Sequence, residues 1–148
     1  MIAVDTNILV YAHRPESEWH SSAFPLIRSL TEGSELWAIP WPCVHEFFSV
    51  VTHPRIYAPP TPAERTFAQL REWLKAPSAR LIGESGDHLA VLEKIVLAGK
   101  ISGPAVHDAR IAAICISHGV RELWSVDRGF SRMAGLKVRN PLIPRTLQ

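Results

Sequence analysis

A chain of 148 residues that is 47% hydrophobic and 20% charged has apolar material for the core of one domain and too little length for two, which excludes extensive disorder. Its two cysteines, Cys43 and Cys115, both lie inside apolar segments and exclude a disulfide framework, and no apolar run reaches membrane-spanning length. The formal charge of +2 is close to balance, and the N-terminus carries no basic segment ahead of an apolar signal core, so a cytoplasmic protein without membrane association is expected.

Ile2-Ala3-Val4 predicts a short strand buried on both faces, because β-branched residues in an unbroken apolar run suit a covered parallel sheet. Asp5 stands where that strand ends, at the edge where open α/β sheets place their ligands. No Lys or Arg occurs before Arg14, so a buried Asp5 either raises its pKa or finds a cation. It also suits the cap of a helix starting near Asn7, and both readings stay open at this point.

A helix is expected from about Ser21 to Thr31, ended by Gly33, then a second strand over Leu36-Trp37-Ala38-Ile39 stopped by Pro40 and Pro42. Val44, Phe47, Phe48 and Val51 are spaced for a helix from Pro42 to about Thr52 that carries Glu46. The prolines of 53–60 predict a surface loop, and Thr61-Pro62-Ala63-Glu64 predicts a capping box opening a helix to about Lys75. Ala79-Arg80-Leu81-Ile82 is a third strand. A helix from Asp87 to about Ala98, rich in Leu, Val and Ile, is expected to be largely buried, with Gly99 ending it. The small apolar residues of Ala105 to His118 suit a helix packed closely on the sheet, ended by Gly119, and Asp108 falls near its start. Glu122 to Val126 is a fourth strand followed by Asp127, and Leu136 to Arg139 a fifth. Alternating strands and helices predict a single α/β domain over 1–148, a three-layer sandwich with a parallel sheet between helices.

Four acids stand where this architecture brings them together: Asp5 and Asp127 at strand ends, Glu46 and Asp108 on helices. Each alone suits a solvated or capping role; jointly, their apolar flanks argue for a shared pocket. Clustered carboxylates repel one another unless a divalent ion holds them ionised, and all-oxygen ligation selects Mg²⁺ or Mn²⁺. Magnesium keeps several waters and takes substrate phosphate oxygens, so an open acidic pocket reads as a phosphodiester site. With four of the 14 acids assigned there, 16 Lys and Arg face 10 acids elsewhere, an excess of about six that suits a polyanionic partner.

Asp5-Thr6-Asn7 after an apolar strand, Glu46 on a helix, His107-Asp108-Ala109-Arg110-Ile111-Ala112-Ala113 and Trp124-Ser125-Val126-Asp127-Arg128-Gly129-Phe130 together resemble the motifs of PIN-domain ribonucleases. In length the chain is similar to the VapC-type toxins of bacterial toxin–antitoxin pairs. The resemblance implies a five-stranded parallel sheet, Mg²⁺- or Mn²⁺-dependent endonucleolytic cleavage of structured RNA such as tRNA or rRNA, a homodimer, and inhibition by a VapB-type antitoxin. Carried over, the metal-binding and catalytic quartet is Asp5, Glu46, Asp108 and Asp127, with Asn7 and Ser125 supporting. Ser125 stands where the family often has Thr and keeps the hydroxyl.

Arg110 and Arg128, with Arg14, Arg55 and Arg132, are candidates for RNA phosphates. Trp41 and Tyr57, near proline-rich loops, are the aromatic candidates for substrate or partner contact. Cys43, His45 and His107 fit no zinc spacing. A competing reading is a PIN-like domain that binds RNA or protein without cutting, which a missing acid would favour. A phosphatase with Asp5 as nucleophile is disfavoured by Asn7, where a second Asp would be expected, and a nucleotide-binding domain lacks its glycine-rich turn.

Overall fold

Five strands, β1 (Ile2–Val4), β2 (Trp37–Pro40), β3 (Ala79–Ile82), β4 (Glu122–Trp124) and β5 (Val138–Arg139), form one parallel sheet in the order β3-β2-β1-β4-β5. The structure is a computed structural model and describes residues 1–147. Central β1 has Ile2 opposite Trp37 on one side and Glu122 on the other, so all three of its residues are buried. That position explains the unbroken apolar run.

Six α-helices surround the sheet among the described residues: α1 (Thr6–His13), α2 (His20–Glu32), α3 (Trp41–Val51), α4 (Ala63–Leu74), α5 (His88–Gly99) and α6 (Val106–Ser117). Helix α1 packs on α2 and α3, α3 packs on α4, and α5 packs on α6. The walk from β1 through β2 to β3 runs in one direction and the return to β4 reverses it. Right-handed crossovers therefore put α1 to α4 on one face and α5 and α6 on the other. Ala38, Ile82 and Ile114 of α6 accordingly make a cluster separate from the main core that contains Ile39, Ile8 and Phe47. This is the expected three-layer sandwich. The chain leaves β1 toward β2 and leaves β4 toward β5, so a crevice opens at their carboxyl ends, the topological switch point of the sheet.

Three expectations are corrected. The predicted capping box does not form: α4 begins at Ala63 with Pro62 in the cap position and no side-chain cap bond. Thr61 is buried and committed elsewhere, with Arg14 Nη1 donating to its Oγ1 at 2.9 Å and His13 Nε2 standing 3.0 Å away. Helix α5 is not largely buried either. Only Ile95 is buried, while Leu89 and Leu97 are 77% and 69% exposed, because α5 lies in the outer layer with α6 as its chief neighbour. Finally, β4 stops at Trp124, leaving Ser125 and Val126 between the strand and Asp127. The end of α6 behaves as read: Gly119 takes φ +68°, and the Val120 N–H reaches back to Cys115 O at 2.9 Å.

Candidate active site

Asp5 leaves β1 with extended backbone and caps α1, its Oδ1 accepting the Thr6 N–H at 2.8 Å. The cap and the cleft are the same carboxylate, so the two readings of Asp5 coexist. Its backbone N–H donates to Trp124 O at 2.9 Å, which brings the loop after β4 alongside. Ser125 consequently donates from Oγ to Asp5 Oδ2 at 2.6 Å, and the same Oγ accepts the Asp127 N–H at 3.0 Å. Asn7 joins this knot, its Nδ2 reaching Asp5 Oδ2 at 3.3 Å and Ser125 Oγ at 3.4 Å, while its Oδ1 accepts from Val126 N at 3.4 Å. Both supporting residues thus hold the β1 and β4 ends together.

Glu46 arrives from α3, where Thr6 Oγ1 donates to its Oε2 at 3.1 Å. Asp108 sits in the first turn of α6, a position the helix dipole favours for an anion. Asp127 heads a 3₁₀ turn, Arg128–Arg132, and accepts the Gly129 N–H at 2.7 Å. Gly129 lets the turn approach the acids closely: a Cβ there would meet Asp108 Oδ2 at 3.0 Å and Asp127 Oδ1 at 3.1 Å, tight enough to press on both carboxylates. Thr6 and Gly129 are site-building residues to which the sequence reading gave no role. Both lie inside quoted motifs, and only their approach to carboxylates from distant elements reveals what they do.

The four carboxylates line one cavity of about 250 Å³, together with Thr6, Asn7, Tyr11 and Tyr57, and no Lys or Arg lines it among the described residues. Burial pushes the Asp5 carboxyl above its ordinary value against the bonds from Ser125, Thr6 and Cys43, and the charge of Asp127 adds to the rise. Glu46 is raised by partial loss of water and then by the charges of Asp5 and Asp127. Asp108 is raised by burial first, then by Asp127, Asp5 and Glu46. These acids feel one another. They border the cavity without converging on one point: among the described residues no three His, Cys, Asp or Glu form a ready coordination sphere.

The basic candidates are not in this cavity. Arg14 is held by Glu16, Thr61 and Pro59 O and lies over the Tyr57 ring at 4.2 Å, outside the lining of the acid cavity. Arg110 pairs with Glu84 beside the neighbouring groove, and Arg128 is exposed next to Asp127. Cys43, His45 and His107 build no zinc site: Cys43 is buried with its thiol 3.5 Å from Asp5 Oδ1, and His45 Nδ1 is 2.9 Å from Trp41 O in its own helix. A larger concavity of about 450 Å³ between α2 and α4, near Ile27 and Trp73, gathers no comparable set of acids.

The family model described as the PIN domain matches residues 2–136. Ribonuclease VapC43 of Mycobacterium tuberculosis is 30% identical over 146 residues, covering 99% of this chain and 99% of the relative. Ribonuclease VapC48 of the same organism is 29% identical over 137 residues, covering 93% and 94%. Among solved structures, VapBC2 from Rickettsia felis bound to a promoter DNA fragment aligns with a TM-score of 0.67 at 20% identity, covering 94% of this chain and 98% of that one. Mycobacterium tuberculosis VapC20, described as a sarcin–ricin loop cleaving toxin, aligns with a TM-score of 0.65 at 18% identity, covering 92% and 96%. A domain match over residues 2–136 and a relative 30% identical along almost its whole length place the chain in the PIN domain family, in its VapC group.

Proposed function

We propose that this chain is a divalent-metal-dependent endoribonuclease and the toxin of a VapBC-type pair. The observation that carries the reading is the single cavity bounded by Asp5, Glu46, Asp108 and Asp127, with no basic side chain among its described lining residues. An all-oxygen set of this kind fits a hard cation, Mg²⁺ or Mn²⁺; burial first and neighbouring carboxylates second raise the proton affinities of Asp5, Glu46 and Asp108, and a cation would offset both. When bound, such an ion neutralises the carboxylates, acidifies a nearby water and polarises the phosphoryl group for in-line attack.

The protein's own part is positional. Ser125, Asn7 and the Thr6 N–H fix the rotamer of Asp5, the Thr6 hydroxyl fixes Glu46, and the Gly129 N–H fixes Asp127. Asp5, Glu46 and Asp108 all line the cavity and are all held above their ordinary pKa, and one of them takes up the proton released as water attacks. Tyr11 and Tyr57 line the cavity beside the acids.

The Rickettsia felis structure is a VapBC complex and VapC20 is described as a sarcin–ricin loop cleaving toxin, which supports a VapB-type antitoxin and a structured RNA, tRNA or rRNA, as the partners proposed here. A homodimer is proposed as the working form. No helix among the described residues is long and apolar enough to cross a membrane. The test is cleavage of purified tRNA and rRNA with Mg²⁺ or Mn²⁺. Asp5→Asn and Asp108→Asn are each expected to lower the rate by roughly 100-fold or more, and chelation to abolish it. Unchanged cleavage in either variant would overturn the assignment.

A further inference from the structure

A second groove, about 520 Å³, runs between α3 and α6 and shares Glu46 and Asp108 with the acid cavity. Its remaining wall is mixed where the cavity is acidic, with Pro42, His45 and Ser49 from α3 and His107, Arg110 and Ile111 from α6. Beyond His45 stands Trp41, 43% exposed, its ring 6.0 Å from the His45 ring and tilted 38° from it. The indole rests against Gly83, where a Cβ would come within 3.2 Å of Trp41 Cδ1, and His118 Nε2 anchors that loop at Gly83 O, 2.9 Å away. The next residue, Glu84, holds the Arg110 guanidinium by an ion pair whose side chains are 37% and 41% exposed. One short loop after β3 therefore sets both an aromatic platform and an arginine beside the acids.

We propose that this groove is a subsite for an unpaired RNA segment flanking the scissile phosphate, with a base stacked on Trp41 and a phosphate bound by Arg110 in exchange for Glu84. The proposal rests on the reading of the acid cavity as a phosphodiester site and adds two substrate contacts outside it, Trp41 and Arg110. The chemistry favours that occupant. The groove lining holds no carboxylate besides Glu46 and Asp108 and includes an arginine suited to a bidentate phosphate contact, while the indole of Trp41 stands outside the lining, next to His45. Base stacking on an aromatic face is open to any unpaired base and closed to a base held within a duplex. Glu84 keeps Arg110 ordered in the free protein and is displaced by a phosphate, so the pair acts as a placeholder for the ligand.

Binding is measured by fluorescence anisotropy with the full chain carrying Asp5→Asn, using a labelled RNA of about twelve nucleotides, single-stranded or annealed to its complement, in Mg²⁺. Adding Trp41→Ala is expected to weaken single-strand binding roughly 5- to 100-fold, while Trp41→Tyr retains most of it. Arg110→Ala weakens binding and lowers the slope of log affinity against log salt by about 0.7. Glu84→Gln, which frees Arg110, tightens binding, an opposite-signed effect that loss of structure would not produce. A Trp41→Ala change within twofold, an equal loss for the duplex, or weaker binding by Glu84→Gln would overturn the proposal. The same RNA is then offered to the chain with Asp5 restored. Cleavage that depends on Asp5 but not on Trp41 removes the subsite and leaves the nuclease. Trp41-dependent binding without any cleavage keeps the subsite and removes the nuclease.

Discussion

Asp5 shows how one side chain carries two burdens. It is 5% exposed, caps α1, and still faces three other carboxylates across the cavity. Its four donors, Thr6 N, Ser125 Oγ, Asn7 Nδ2 and Cys43 Sγ, hold the charge in place without cancelling it. The same tension governs Asp108, whose raised pKa comes from burial and then from three like charges. A carboxyl raised in the folded state binds more protons there than in the unfolded chain, so the metal-free protein gains stability as pH falls from above the folded pKa to below the unfolded one. Asp108→Asn removes the repulsion at neutral pH and is expected to raise the metal-free Tm by roughly 2–4 °C while making it less dependent on pH between neutrality and the carboxylate range. Thermal melts with chelator across that range check it; an unchanged or lower Tm at neutral pH would contradict it. The four acids were legible in the sequence because each stands beside a recognisable apolar element. Thr6 and Gly129 were not, since their roles are distances to residues of other elements. Arg110 looked free to meet RNA, but Glu84, 26 residues earlier, holds it in the unbound chain.

Secondary elements followed from local chemistry wherever the neighbour did not matter. The strands fell within a residue or two of their apolar runs, and Gly119 ended α6 in the left-handed conformation its type allows. Where a neighbour decided the outcome, the pattern misled. Thr61-Pro62-Ala63-Glu64 has the order of a capping box, yet His13 and Arg14 from α1 compete successfully for the Thr61 hydroxyl. The apolar residues of α5 surround the helix on paper, but α6 covers only one stripe of it, with Ile95 at its centre. Ile95→Ala is therefore expected to cost about 2–4 kcal/mol, whereas Leu97→Ala costs less than about 0.5 kcal/mol in the monomeric chain. Urea unfolding of both variants separates the two values, and equal costs would mean that α5 is covered in solution.

At the scale of the molecule, the site belongs to no single element. Asp5 and the loop bearing Asp127 come from adjacent strands at the switch point, Glu46 comes from α3 on one face of the sheet, and Asp108 comes from α6 on the other. Alternating strands and right-handed crossovers were enough to foresee a parallel sheet between helices, and with them the meeting of these acids, because that topology leaves one crevice at the carboxyl edge. A site built from both layers exists only when the whole sheet is paired, so an ion that binds it acts on global unfolding rather than on one loop. Mn²⁺ or Mg²⁺ is expected to raise the Tm with the logarithm of its concentration, by about 2.7 kcal/mol at 100 times Kd, roughly 5–10 °C for a chain of this size. The gain should vanish in Asp5→Asn combined with Asp127→Asn, and it should be largest above the raised carboxyl pKa values, where ion and proton no longer compete. Scanning calorimetry with chelator, Mg²⁺ or Mn²⁺ decides the matter. A Tm indifferent to the ions would mean that the acids are held apart for another reason, and a gain preserved in the double variant would place the ion somewhere other than this crevice.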